Sequence, residues 1–304
     1  MGTPDFAVPS LRALYENGHH IDLVVTRPDR PKGRGRKISP PPVKIEAFDL
    51  ALECIQPKSV KTREFELLLE AVHPDFIIVV AFGHIITEKL LTVPSRGTIN
   101  IHASLLPKYR GPAPINWAII NGEKETGVTT MMMDKELDTG DILLSAREPI
   151  MQNDTAATLH DRLAVRGADL LIETLEAFSA ENLQPVAQDH RLATYAPLLK
   201  KKDGQIDWTK PAEVIETFVR GMTPWPGAFT FHEKNRLKLF KTAVSTRSIE
   251  AHPGTVLKSF PGDLEIATGK GALSILEVQG PSGKRLAIRD FLRGYRILPG
   301  AILN

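Results

Sequence analysis

The chain has 304 residues, 42% of them hydrophobic and 24% charged, with a net charge of +2. That balance excludes wholesale disorder, and the longest apolar runs, such as Phe76 to Phe82, are far too short for a membrane-crossing helix. The single cysteine, Cys54, excludes an intrachain disulfide and a cysteine-based zinc site and points to a reducing, cytoplasmic setting.

The length implies two domains. In the first half, residues 21–26, 76–81 and 98–102 read as short buried strands, apolar and β-branched. Residues 42–53 and 62–72 read as helices between them; in the second, Phe65, Leu68, Leu69 and Val72 share a face and Thr62 is the N-cap. Alternating strands and helices argue for a parallel sheet covered on both faces, a Rossmann-like α/β domain. A short helix over 112–122 follows, then strands over 126–133 and 142–149 flanking a turn, and a long helix over 154–179 capped by Asn153 or Asp154. The pattern predicts a first domain over 1–180 and a polar, Pro-containing linker over 181–205. Over 206–304 one helix, 211–220, precedes short strands at 228–231, 237–240, 254–259, 264–268 and 272–278, the signature of a small β-barrel.

Charge is distributed unevenly. Residues 200–304 carry 17 Lys and Arg against 10 Asp and Glu, whereas residues 1–199 are net acidic. Within that acidic half, Arg27, Arg30, Lys32, Arg34, Arg36 and Lys37 crowd one loop against Asp29 alone. A basic loop and a basic C-terminal region suit a polyanionic partner; a solvated surface accounts for the C-terminal excess equally well. The Gly33-Arg-Gly-Arg-Lys37 run lacks the spacing of a phosphate-binding P-loop. Trp225, between Pro224 and Pro226, is expected to pack in the core.

Asn100 and His102 stand two apart on one strand, so both side chains face the same way at its C-terminal end, where open α/β sheets bind ligands. An amide donor beside an imidazole suits attack on a carbonyl; a structural strand-end histidine is the plain alternative. Asp138 and Asp141, in Leu137-Asp-Thr-Gly-Asp141, could set the imidazole's tautomer, although an ordinary turn accounts for the same string.

Asn100-Ile-His102, Ser104-Leu-Leu-Pro107, Arg110-Gly-Pro-Ala-Pro-Ile115, Glu125-Thr-Gly-Val128 and Leu137-Asp-Thr-Gly-Asp141 together resemble the folate-dependent formyltransferases. Gly2-Thr-Pro-Asp-Phe-Ala7, Pro28-Asp-Arg-Pro31 with the basic loop, and Pro224-Trp-Pro226 are similar to the branch that acts on methionyl-tRNA. The resemblance implies a Rossmann-like catalytic domain followed by an OB-like barrel that binds tRNA. It implies transfer of a formyl group from 10-formyltetrahydrofolate, without a metal, to the α-amine of methionine on initiator methionyl-tRNA. Asn100, His102 and Asp138 become the catalytic trio, Ser104, Leu105, Leu106 and Pro107 the folate-contacting turn, and the six basic loop residues the tRNA contacts. A monomer in the cytoplasm, away from membranes, is expected. An amino-sugar nucleotide as acceptor and a non-catalytic tRNA-binding module are the rival readings.

In that family an apolar strand runs directly into the Gly-Thr-Pro-Asp-Phe segment, whereas here Met1 immediately precedes Gly2. The expectation is a start upstream of Met1 and a shortened gene model.

Overall fold

A computed structural model of the chain describes all residues except 33, 34, 36, 246–250, 260 and 261. The chain divides into two compact units. Unit 1 comprises residues 1–114, 125–149 and 160–196; unit 2 comprises 115–124, 150–159 and 197–304. The stretch 181–205, expected as a linker, is therefore shared between the units, and its first part is built into unit 1: Val186 pairs with Ile142 and Tyr195 with Arg110.

Unit 1 opens with helix α1 (Val8–Glu16), which the sequence reading passed over. The strand expected over 21–26 shortens to β1 (Val24–Val25). A small antiparallel hairpin of β2 (Arg30–Lys32) and β3 (Lys37–Ser39) then carries the basic loop. After α2 (Pro42–Asp49) comes β4 (Cys54–Ile55), parallel to β1. Helix α3 (Arg63–Val72) begins where expected, with the Thr62 hydroxyl accepting the Phe65 N–H at 3.3 Å, and buries Phe65 and Leu69. Strand β5 (Phe76–Val80), the short helix α4 (Glu88–Leu91) and β6 (Gly97–His102) follow. Helix α5 (Pro114–Ile120), which from residue 115 is counted in unit 2, leads to β7 (Glu125–Met132) and β8 (Ile142–Pro149) of unit 1, and then to the long helix α6 (Ala156–Ser179), of which unit 1 takes residues 160–179.

The main sheet runs β5-β6-β7-β8 and is mixed. β5 and β6 are parallel, while β7 and β8 pair antiparallel because a tight connection joins them and a parallel crossover needs a longer one. One face packs on Val25, Phe65, Leu69, Ile77, Val79, Phe82 and Leu90. The other meets α6, where the Thr130 and Thr174 hydroxyls bond at 2.8 Å.

β1 does not pair with β5. The two face each other across a groove of about 540 Å³ lined by Leu11, Leu14, Val24, Leu69, Ile78 and Leu175 among others. Met1 and Gly2 fill one end as a fragment of parallel strand. The Met1 amine donates to Ile78 O at 2.7 Å, Val80 N–H donates to Met1 O at 2.9 Å, and Gly2 N–H donates to Val25 O at 3.0 Å. Burial lowers the pKa of that amine from 8.0 to about 5, against a smaller opposing effect of Cys54. Unfolding therefore takes up a proton between those values, so this contribution to stability is complete above pH ~8 and is lost as pH falls toward ~5, at ~1.4 kcal/mol per pH unit and ~4 kcal/mol at most. Urea midpoints measured across this range should show that slope, and acetylation of the Met1 amine should remove it. An unchanged slope after acetylation would assign it to other groups.

In unit 2, α7 (Ala212–Met222) precedes β9 (Ala228–His232), β10 (Asn235–Ser245), β11 (Val256–Lys258), β12 (Leu264–Ala267), β13 (Ala272–Gln279) and β14 (Arg285–Ala287). The strands form one antiparallel half-barrel in the order β11-β12-β13-β10-β9, with β14 on β13. Residues 300–304 bridge its two edges: Leu303 pairs with His232 of β9, and Val256 N–H of β11 donates to Ala301 O. Helix α8 (Ile288–Gly294), also unforeseen, buries Ile288 and Phe291. Trp225 is 51% exposed, against the expected core role. The buried tryptophan of this unit is Trp208, whose indole N–H donates to the Thr230 hydroxyl at 3.0 Å.

Candidate active site

Strand β6 lies between β5 and β7, and its residues 99 and 101 are buried in the core. The pleat turns Asn100 and His102 together to the opposite face. Asn100 is half-buried, and among the described residues its carboxamide makes no hydrogen bond. His102 is buried, with Nε2 2.9 Å from Tyr109 O. A carbonyl can only accept, so Nε2 carries the proton and the lone pair of the neutral ring is on Nδ1.

Nδ1 faces Asp138 Oδ2 at 3.6 Å. This is ion-pair range but too long for a hydrogen bond. The ring's tautomer is thus set by Tyr109, not by Asp138 as expected, and the carboxylate stands ready for the imidazolium. Asp138 has φ 54° in the β7–β8 connection, and its Oδ2 accepts the Gly111 N–H at 2.7 Å. Gly111, at φ 113°, comes so near Ala196 that a Cβ there would lie 2.9 Å from its carbonyl oxygen. Asp141 is exposed, and its backbone carbonyl accepts the Met132 N–H at 2.9 Å. Beside this turn lies an open cleft of about 670 Å³ lined by Met132, Asp134, Thr139, Gly140, Asp141 and His190 among others.

The turn after β6 is held from within. Ser104 is fully buried, and its hydroxyl donates to Lys108 O at 2.6 Å. Thr129 of β7 braces the same turn, donating to Ser104 O at 2.7 Å and accepting the Leu106 N–H at 3.2 Å. Leu106 is buried, while Leu105 and Pro107, three and five residues beyond His102, remain half-exposed. Of the four residues expected to contact a folate, these two offer side-chain surface. Thr129 and Tyr109 were missed by sequence reasoning, since a lone threonine and a backbone carbonyl carry no local signal.

The basic loop stands apart from this trio's direct contacts. Its base is pinned where Asp29 accepts from Lys44 and Gln56, and hydrogen bonding from Gln56 and then Lys44 holds its carboxyl below the usual range. Arg27 is half-buried over Gly83, and its buried Nε has no hydrogen-bond partner among the described residues. Arg30 and Lys37 are exposed on the hairpin. Only the backbone of Lys32 is described, and Arg34 and Arg36 lie outside the described residues.

A second cationic cluster belongs to unit 2. On β10, Leu237 and Leu239 point into the half-barrel, and the alternation turns Arg236 and Lys238 outward. Arg236 stacks on Phe229 with its guanidinium carbon 3.7 Å from the ring centroid. The Lys238 ammonium is pushed below its ordinary pKa by burial, then by Arg236 and Lys201. These residues were not picked out from the sequence, where they register only as part of a general basic excess.

A family model described as formyl transferase matches residues 1–175, and one described as formyl transferase, C-terminal domain, matches residues 198–296. The methionyl-tRNA formyltransferase of Citrifermentans bemidjiense is 50% identical over 304 residues, covering 100% of this chain and 95% of the relative. That of Geotalea uraniireducens is 50% identical over 304 residues, covering 100% and 96%. Among solved structures, WlaRD, a sugar 3N-formyl transferase, aligns with a TM-score of 0.68 at 22% identity, over 92% of this chain and 96% of its own. An N-formyltransferase from Helicobacter canadensis, in complex with folinic acid and dTDP-3-aminofucose, gives 0.67 at 21%, over 90% and 96%. At those identities the structural likeness shows the fold.

Proposed function

The chain belongs to the methionyl-tRNA formyltransferases of the formyl transferase family, and from that premise we infer that Asn100, His102 and Asp138 carry transfer of a formyl group from 10-formyltetrahydrofolate to the α-amine of initiator methionyl-tRNA. The observation that carries the reading is the uncommitted Asn100 carboxamide on the same strand face as His102, whose free Nδ1 looks toward Asp138 at 3.6 Å. The folate co-substrate supplies the formyl carbon, and the half-exposed Leu105 and Pro107 suit an apolar ring system beside the trio.

The attacking amine must be neutral, a condition helped by the electron-withdrawing aminoacyl ester. As nitrogen attacks the formyl carbon, negative charge develops on the formyl oxygen. The Asn100 amide N–H groups are free to donate there, and one such preorganised donor is worth ~2.7–4 kcal/mol. His102 Nδ1 takes the proton that the amine gives up, and Asp138 stabilises the resulting imidazolium across 3.6 Å. The same proton then serves the departing folate nitrogen.

We place catalysis in residues 1–180 and tRNA contacts in the hairpin loop and in 206–304. Arg236 and Lys238 extend the expected contacts, since a phosphate beside them would relieve the mutual repulsion of three cations. Lys238→Ala is expected to weaken tRNA binding and to lessen the slope of log affinity against log salt by about one unit per lost phosphate contact. Lys37→Ala should act in the same sense. The KM for 10-formyltetrahydrofolate should stay unchanged; an equal rise for both substrates would show that these lysines support the fold instead. The function itself is tested by formyl transfer to charged initiator tRNA beside an amino-sugar nucleotide. Transfer to the sugar alone would overturn the reading, and transfer to neither would favour a binding module.

A further inference from the structure

Arg110 is 2% exposed, and among the described residues no carboxylate lies within ion-pair distance of its guanidinium. Its Nε and Nη2 both donate to Gln188 Oε1, at 3.1 and 2.6 Å, and Nη1 donates to His190 Nδ1 at 3.2 Å. Gln188 is 6% exposed and turns the other end of its amide toward the active site. Its Nε2 donates to Asp138 O at 3.0 Å and to Gly140 O at 2.7 Å.

Those carbonyls bracket the turn on which the Asp138 side chain is mounted. Asp138 occupies the left-handed region at φ 54°, a conformation a residue with a Cβ keeps only when its surroundings enforce it. Gly111, next in sequence to Arg110, binds the Asp138 carboxylate through its N–H. One dipeptide thus grips the aspartate twice, by the carboxylate directly and by the backbone through Gln188. The middle position needs an amide. A carboxylate could accept from the arginine fork but could not donate to two carbonyls, and an aliphatic side chain could do neither. A buried guanidinium without an acid partner is costly, so it is poorly explained as a device for closing a surface turn.

We propose that Arg110 and Gln188 are positioning residues for formyl transfer, holding Asp138 at its working distance from His102. The proposal rests on the catalytic reading of Asp138 given above.

The test is a double-mutant cycle in the full chain, with kcat, both KM values and the melting temperature measured for Gln188→Glu, Gln188→Leu and Arg110→Lys, each in the native and the Asp138→Ala background. Gln188→Glu loses two donated hydrogen bonds but gives the buried Arg110 a charged acceptor, and these opposing effects should keep the protein folded with a melting temperature within several degrees of the parent's. Its kcat should fall ~10–30-fold with each KM within about twofold, because only the transition state uses a correctly placed carboxylate. In the Asp138→Ala background the same change should cost less than about twofold, since the residue it acts through is gone. Losses that multiply in full in both backgrounds would overturn the proposal, as would native kcat in folded Gln188→Glu. Should that variant fail to fold, Arg110→Lys, which keeps the charge and loses the fork, carries the same test. Native turnover by Asp138→Ala would overturn the catalytic reading itself.

Discussion

His102→Ala is expected to lower kcat by at least ~10²-fold with the fold intact, since general acid–base catalysis contributes ~10²–10⁴-fold. The ring's Nε2 is tied to the Tyr109 carbonyl and its Nδ1 is the atom left to take a proton. Asn100→Ala should give a loss of similar size, because it removes a donor that matters mainly when charge has built up on the formyl oxygen. Asn100→Asp is the sharper variant: it keeps the size and replaces the donor with a negative charge. It should be at least as impaired as Asn100→Ala, and a weaker KM effect than kcat effect should accompany both. A well-folded His102→Ala protein that turns over normally would remove His102 from the mechanism, and with it the role of Asp138.

Extending the chain ahead of Met1 by five or six apolar, β-branched residues is expected to raise the melting temperature by about 10 °C or more. Met1 and Gly2 already make the bonds of a parallel strand to both β1 and β5, and the groove of about 540 Å³ between those strands continues away from Met1. Strand parity directs the backbone groups of Phe76 and Ile78 on one side, and of Leu23 on the other, into that groove. Each added residue would bury apolar surface worth ~1.5–3 kcal/mol and make bonds worth ~0.5–1.5 kcal/mol each. Ordering costs ~1–2 kcal/mol of backbone entropy and somewhat more for the side chain, leaving about 1 kcal/mol per residue in favour. The buried Met1 amine would become a peptide N–H in the same bond to Ile78, so the acid-side stability loss should disappear as well. A Gly/Ser extension of equal length is the control. If both extensions leave the melting temperature unchanged, the groove does not accept a strand.

Part of the candidate site's geometry was legible because its signals are local. Asn100 and His102 are two residues apart on an apolar strand, and a two-residue period puts both on one face whatever surrounds them. The Thr62 cap, the strands of the main sheet and the helix over 156–179 could be read for the same reason: cap, period and breaker all lie within a few residues of each other. α1 was missed because it is short, starts with a proline in its first turn and buries only Ser10 and Leu11, which leaves no apolar stripe to read. Trp225 was misjudged because an aromatic flanked by prolines says nothing of which side of the turn meets solvent.

The sequence by itself determined the class of the fold and put Asn100 and His102 on one strand face, and the resemblance named them with Asp138 as the proposed trio. Only the tertiary structure decided how the trio is wired. It assigned the imidazole tautomer to Tyr109 and left Asp138 at 3.6 Å from His102. It also showed that a polar stretch resembling a linker supplies Gln188, which meets Arg110 across 78 residues of chain. The division has a physical cause. Periodicity, capping and turn chemistry act over one or two turns of backbone and leave their mark in neighbouring residues. A buried amide or guanidinium, by contrast, takes whatever donor or acceptor the folded chain brings within about 3 Å, and nothing in its neighbours along the sequence records which one that is.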